Sequence, residues 1–307
     1  LRVLKNGRYR RLVVALATAL LLTGCSSSEI PVQEIKSAAA ISINNGGTSS
    51  AKRVVALANG SAEILVSLGL KQILIGRDIA STEEVLLDIP IVTNGHQVVA
   101  ENILKLNPDL VLIDDATGPK SAIDTLRESG IEVVQVRQAW TFSDIDLKIA
   151  DIAAAVGAIP SGVALSKEIG QSLAAVKAAD RKAKILFLYL RGGNSIYLLG
   201  GKGSGADSLI SAINGVDVGA EFSADPFTPV SAEILAGLNP DVILVMSKGL
   251  ASVGGPSGLR ELPGVAQTEA GKKGRILAVD DSLLLSFGPR TPDLILQMAA
   301  AVDELMK

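Results

Sequence analysis

Glu101-Asn-Ile-Leu-Lys-Leu-Asn-Pro-Asp-Leu-Val-Leu-Ile113 returns 132 positions later as Glu233-Ile-Leu-Ala-Gly-Leu-Asn-Pro-Asp-Val-Ile-Leu-Val245. Each copy opens a short helix at a glutamate, breaks it at Asn-Pro-Asp and continues as an apolar run of strand length. Each is followed by a helix, a glycine and a further strand: Gly130 before Ile131–Val136, and Gly274 before Arg275–Val279. Helices alternating with continuously apolar strands predict parallel sheets covered on both faces, and the duplication predicts two such lobes.

Working outward, the first lobe spans residues 52–142. Strands are expected over Arg53–Ala58, Leu110–Ile113 and Ile131–Val136, with Gln72–Gly76 and Val85–Val92 as further short strands or loop-strand pieces. From 143 to 182 the periodicity is only helical, over Ser143–Val156 and then Ser161–Ala179, with Pro160 where a second helix would begin. Strand–helix alternation resumes over 183–307. The expected fold is α/β, with two Rossmann-like lobes joined by a helical segment.

The N-terminus has a different character. Arg2, Lys5, Arg8, Arg10 and Arg11 precede an apolar run over Leu12–Leu22, then Thr23-Gly24-Cys25 and three serines. Basic, apolar and small residues in that order predict an export signal over residues 1–24. The apolar run is shorter than the ~20 residues a membrane span requires. Leu22-Thr-Gly-Cys25 resembles the lipobox of bacterial lipoproteins, which implies that Cys25 is diacylated and becomes the mature N-terminus at the outer face of the cytoplasmic membrane. Residues 25–51, rich in Ser, Ala, Asn and Gly, are expected to be a flexible tether.

Composition excludes several functions. Loss of residues 1–24 removes five basic and no acidic residues and takes the formal charge from −3 to −8. An acidic surface argues against nucleic acid as a partner. Cys25 is the only cysteine, so there is no disulfide framework and no thiolate metal site. His96 is the only histidine, which argues against a Ser-His-Asp hydrolase or a zinc enzyme. Aromatics make up 3% of the chain, too few for the ring stacking typical of sugar clefts.

From about Arg53 to Lys307 the chain resembles the substrate-binding lipoproteins of bacterial ABC importers that carry haem, cobalamin and ferric siderophores. The general marks are Arg53-Val-Val-Ala-Leu, Ser61-Ala-Glu-Ile-Leu and the two Pro-Asp copies. Gly205-Ala-Asp-Ser-Leu-Ile, Val245-Met-Ser-Lys-Gly-Leu, Leu262-Pro-Gly-Val and Phe287-Gly-Pro-Arg-Thr-Pro are closest to the haem-binding branch. The resemblance implies the class III arrangement, two lobes on a long rigid helix with little lobe motion. It further implies haem b as the transported ligand and a permease with its ATPase subunit as partners, with cell-surface haem donors upstream. Glu101 and Glu233 match the pair that docks on arginine pockets of the permease; a glutamate in a first helical turn also complements the helix dipole.

Ligands of open α/β sheets sit beyond the carboxyl ends of the strands. That rule nominates residues 59–61, 94–97, 114–117, 189–194, 246–248 and 280–282. His96 lies in a turn of the first lobe, while Tyr189 and Arg191 end a strand of the second, on one side of it. Ferric iron accepts phenolate, imidazole is a common haem ligand, and a guanidinium favours the phenolate form. His96 and Tyr189 as iron ligands, with Arg191 hydrogen-bonded to the phenolate, match a ligand set found in the haem-importer family; other members have a tyrosine in place of the histidine. Tyr197 lines or borders the pocket. Met246 either packs on the porphyrin or is plain core, and Arg290 either meets a propionate or stabilises the fold. Asp280-Asp281 is expected to cap the helix that follows. The alternatives are a ferric siderophore or cobalamin binder of the same class, an extracellular haem-degrading or metal-dependent enzyme, and a structural lipoprotein without a ligand.

Overall fold

The repeated Leu-Asn-Pro-Asp acts in the same way in both lobes. Asn107 and Asn239 take left-handed backbone, φ 50° and 43°, which asparagine tolerates better than most residues. Asn239 caps the end of its helix, whereas Asn107 closes the turn just after a helix capped at Lys105; the proline after each bars continuation. The aspartates reach sideways. The Asp109 carboxylate accepts from the backbone N–H of Lys52 at 2.9 Å and of Arg53 at 3.1 Å, and Asp241 accepts from that of Lys184 at 3.0 Å. In each lobe the motif thus ties its own strand to the start of the neighbouring one.

The computed structural model describes residues 32–43, 48–191 and 196–307. In chain order the strands are β1 (Val32–Ile35), β2 (Val54–Ala56), β3 (Leu74–Arg77), β4 (Thr93–Asn94), β5 (Gln97–Val98), β6 (Leu110–Ile113) and β7 (Glu132–Gln135). They continue as β8 (Lys184–Arg191), β9 (Ile196–Gly200), β10 (Val216–Asp217), β11 (Phe227–Pro229), β12 (Val242–Met246) and β13 (Ile276–Val279). The helices are α1 (Ser61–Ser67), α2 (Ala100–Leu104), α3 (Lys120–Glu128), α4 (Phe142–Ala155), α5 (Ile159–Ala175), α6 (Ala206–Ala212) and α7 (Val218–Phe222). They continue as α8 (Ala232–Leu238), α9 (Ser247–Ser252), α10 (Gly255–Glu261), α11 (Glu269–Lys273), α12 (Asp281–Leu284) and α13 (Thr291–Leu305).

The first lobe holds a parallel sheet in the order β3-β2-β6-β7, and the second a sheet in the order β1-β13-β12-β8-β9-β11 with β10 beside β8. In the second sheet β1, β13, β12 and β8 run parallel, and β9 and β11 are antiparallel. The two-residue period of the strands sorts their side chains between cores. Leu110 and Leu112 of β6, with Val242 and Leu244 of β12, enter one core that also takes in α1, α4, α5 and α13. Val111 and Ile113 face a core under α2 and α3, and Ile243 and Val245 one under α8, α10 and α11. The repeat is therefore structural: both copies place alternate residues of a buried strand into a shared inner core and a separate outer one.

The helical connector is a pair. Helix α4 starts with a capping box of Thr141 and Asp144. The chain turns at Gly157, φ 70°, and α5 packs back on α4, the longer of the two at 17 residues. A Cβ on Gly162 would lie 2.5 Å from the Cβ of Ala153, so this glycine lets the helices approach.

One expectation is corrected and another is narrowed. Residues 25–51 are not a free tether over their described part. Val32–Ile35 is an edge strand pairing with β13, Ile35 is buried, and Ile41 and Ile43 donate to Pro289 O and Ser67 O. The strand Val32-Gln-Glu-Ile35 shows no apolar alternation, and its partner strand lies far along the chain, so no local pattern marks it. Val85–Val92 takes the looser of its two expected forms, a 3₁₀ turn over Glu84–Leu86 followed by a single bridge of Ile91 to Arg77, because Asp88 and Pro90 interrupt the apolar run. The signal segment and Cys25 lie outside the described residues.

Candidate ligand-binding site between the lobes

The carboxyl ends of the two sheets face one another. Asn59, just beyond β2, donates from Nδ2 to Leu285 O of the second lobe at 3.0 Å, and Lys148 Nζ of α4 donates to Ser286 O at 2.7 Å. Asp114, just beyond β6, is buried and satisfied: it accepts from Asn59 N at 2.9 Å, Ala116 N at 3.1 Å and Thr117 Oγ1 at 2.7 Å. The Asp280 carboxylate accepts from Ser282 N at 2.9 Å and caps α12, as its sequence suggested.

His96 sits at the tip of the β4–β5 hairpin. Gly95, φ 56°, makes the tight turn, and the hairpin is pinned beside the end of β6 by Val98 N donating to Gly118 O at 2.8 Å. The imidazole is exposed. On the other lobe, strand β8 directs Ile185, Phe187 and Tyr189 to one face and Leu186, Leu188 and Leu190 to the other. Tyr189 is half-buried, with Phe227 of β11 edge-on at 5.5 Å between ring centroids. The exposed Arg191 places its guanidinium carbon 5.3 Å from the centroid of the Tyr189 ring. Tyr189 and Arg191 lie together, and the contact between them is the guanidinium over the ring face. Phe227 was missed; its strand has three residues and no alternation long enough to read.

Tyr197 pairs with Leu190 across β8 and β9 through the backbone. Met246 is buried at the end of β12 among core residues, the second of its two expected roles. Arg290 is corrected as a haem contact. It is 7% exposed and its guanidinium is occupied by Glu63 at 2.8 Å, by Glu83 and by Ser282 O at 3.2 Å. Glu63 and Glu83 belong to the first lobe, so the cluster is a buried ion network across the lobe boundary. Burial pushes the Glu83 carboxyl up to about 7 against the opposing pull of Arg290. It also holds Lys148 down at about 8, with Glu63 and Asp114 resisting. Sequence could not reveal this network, since Arg290 lies more than 200 residues from both Glu63 and Glu83. Glu101 and Glu233 are exposed in the first turns of α2 and α8, at equivalent points of the two lobes. Among the described residues no three His, Cys, Asp or Glu side chains gather as a metal site.

Residues 54–283 match the family described as periplasmic binding protein. A crystal structure of the haem-binding protein HmuT is similar at 32% identity and a TM-score of 0.80, covering 89% of this chain and 97% of that one. Alanine variants of that protein have been solved at one histidine, one tyrosine and one arginine, the last two separated by a single residue. The ABC transporter substrate-binding lipoprotein YvrC of Bacillus subtilis (strain 168) is 24% identical over 82% of this chain and 80% of its own length. A cobalamin-binding protein of Halobacterium salinarum is 24% identical over 81% of this chain and 69% of its own. The match over most of both lobes places the chain in the periplasmic binding protein family, whose members bind substrates and are not enzymes.

Proposed function

We propose that this protein holds haem b between its lobes and delivers it to an ABC importer. The observation that carries the reading is the Tyr189–Arg191 pair at the end of β8 in the second lobe, with the exposed His96 in the first. A phenolate oxygen is a hard donor suited to ferric iron, and imidazole serves as a second axial ligand. Arg191 supplies positive charge beside an anionic tyrosinate ligand. Ile79, Val85, Leu87 and Ile91 are exposed on the segment leading into the His96 hairpin, and they offer apolar surface of the kind a porphyrin face requires. The similarity to HmuT supports the same assignment, because its studied histidine, tyrosine and arginine have counterparts here in kind and in tyrosine–arginine spacing.

Delivery rests on two further proposals. Glu101 and Glu233 dock on basic pockets of the permease, one per lobe, and Cys25 carries the lipid that holds the protein at the outer face of the cytoplasmic membrane. A cobalamin ligand is the second reading, favoured by the similarity to the Halobacterium protein. It needs no bond from the protein to iron.

The test is an absorption titration of the chain from Ser26 onward with hemin, beside His96→Ala and Tyr189→Phe, and a parallel titration with cyanocobalamin. Saturable hemin binding, altered by both substitutions, is expected. Free-hemin spectra throughout, with cyanocobalamin bound, would replace haem by cobalamin.

A further inference from the structure

The segment between β3 and β4 is built around one buried arginine. Arg77 donates from Nε to Leu86 O at 2.9 Å and Ile89 O at 3.0 Å, and from Nη1 to Ser81 O at 2.8 Å. Its own backbone exchanges hydrogen bonds with Pro90 O at 2.9 Å and Val92 N at 3.0 Å. Asp78 closes the near end by accepting from Ala80 N and Ser81 N, both at 3.1 Å. With carbonyls of 81, 86 and 89 gathered on one guanidinium, residues 78–92 form one hydrogen-bonded unit. At the far end the unit runs directly into the His96 hairpin, and Ile79 N donates to Thr93 Oγ1 at 3.2 Å.

This unit reaches the second lobe through Glu83. The Glu83 carboxylate accepts from Arg290 Nη2; Arg290 is fixed on its own lobe by Ser282 O at 3.2 Å and is held from the first lobe also by Glu63, which accepts from Arg290 N at 3.0 Å. The guanidinium and the Glu63 carboxylate are buried and Glu83 is largely so, and charge-assisted contacts of this kind are directional.

We infer that Arg290 is a positioning residue: through Glu83 it holds the Arg77-centred segment, and with it the His96 hairpin, in fixed register against the lobe that carries Tyr189. The inference rests on the proposed ligand role of His96 only for its consequence in binding. The mechanical link stands without it. Rigidity here comes from a salt bridge between lobes rather than from the connector alone, and the side chain that sets it touches no ligand.

Glu83→Leu removes the acceptor and leaves Glu63 paired with Arg290, so it is a milder change than loss of the arginine. Glu83→Gln keeps an acceptor oxygen in place. Hydrogen exchange of the ligand-free protein is expected to quicken about tenfold in peptides covering 78–98 of Glu83→Leu. Peptides of β6 and β8 stay at parental rates, and Glu83→Gln matches the parent. With hemin, Glu83→Leu is expected to raise the dissociation rate about tenfold, and the effect to vanish in a His96→Ala background. Unchanged exchange over 78–98, or acceleration spread evenly over the whole first lobe, overturns the inference. A protein that binds no hemin overturns the haem assignment instead, and the exchange result still decides this one.

Discussion

Lys148 is 2% exposed in the middle of α4, and its ammonium has one carbonyl partner, Ser286 O at 2.7 Å. Burial lowers its pKa from 10.5 to about 8, less the opposing attraction of Glu63 and Asp114. The sign of the consequence follows from proton counting. Below about pH 8 the lysine is protonated in both native and unfolded chains, and the native state carries the full desolvation cost. Between about 8 and 10.5 the native lysine is neutral while the unfolded one keeps its proton, so stability climbs with pH; above 10.5 the cost is gone. A shift of this size corresponds to about 3 kcal/mol at 1.36 kcal/mol per pH unit. Lys148→Met fills similar space without the charge and removes this slope. Urea unfolding of parent and Lys148→Met at a series of pH values from 7.5 to 10.5 checks it: the parent should gain roughly 3 kcal/mol relative to the variant across the window. Parallel pH profiles for the two proteins would refute the account of a buried, depressed lysine at the lobe boundary.

Other perturbations test the architecture. Gly162→Ala places a methyl 2.5 Å from Ala153 Cβ and should lower stability by about 1–3 kcal/mol despite the better helix former, read as a fall in Tm. Ile35→Asp removes a buried side chain from β1 and should cost at least about 2 kcal/mol in urea unfolding; an unaffected midpoint would return residues 32–35 to a free tether. Charge reversal of both Glu101 and Glu233 should leave ligand affinity unchanged and abolish uptake in cells; undiminished uptake rejects their docking role.

Most of the candidate site was legible because its residues are chemically conspicuous and locally placed. His96 is unique in the chain, and Tyr189 and Arg191 share a face of a strand by simple alternation. Arg290 was visible as a candidate but not resolvable, since a guanidinium after Gly-Pro suits a ligand carboxylate or a protein one equally well. Glu63 and Glu83 gave no local sign of being its partners.

The sequence by itself determined the repeated α/β units, down to the Asn-Pro breaks that separate each helix from the strand after it. These depend on short-range rules: left-handed backbone, a missing N–H, and a two-residue period that divides each strand between two cores. Tertiary structure alone decided that β1 pairs with a strand more than 240 residues away, that Phe227 meets Tyr189, and that one arginine joins two carboxylates across the lobes. Such contacts depend on which surfaces lose their water together, and no local window of sequence contains that information.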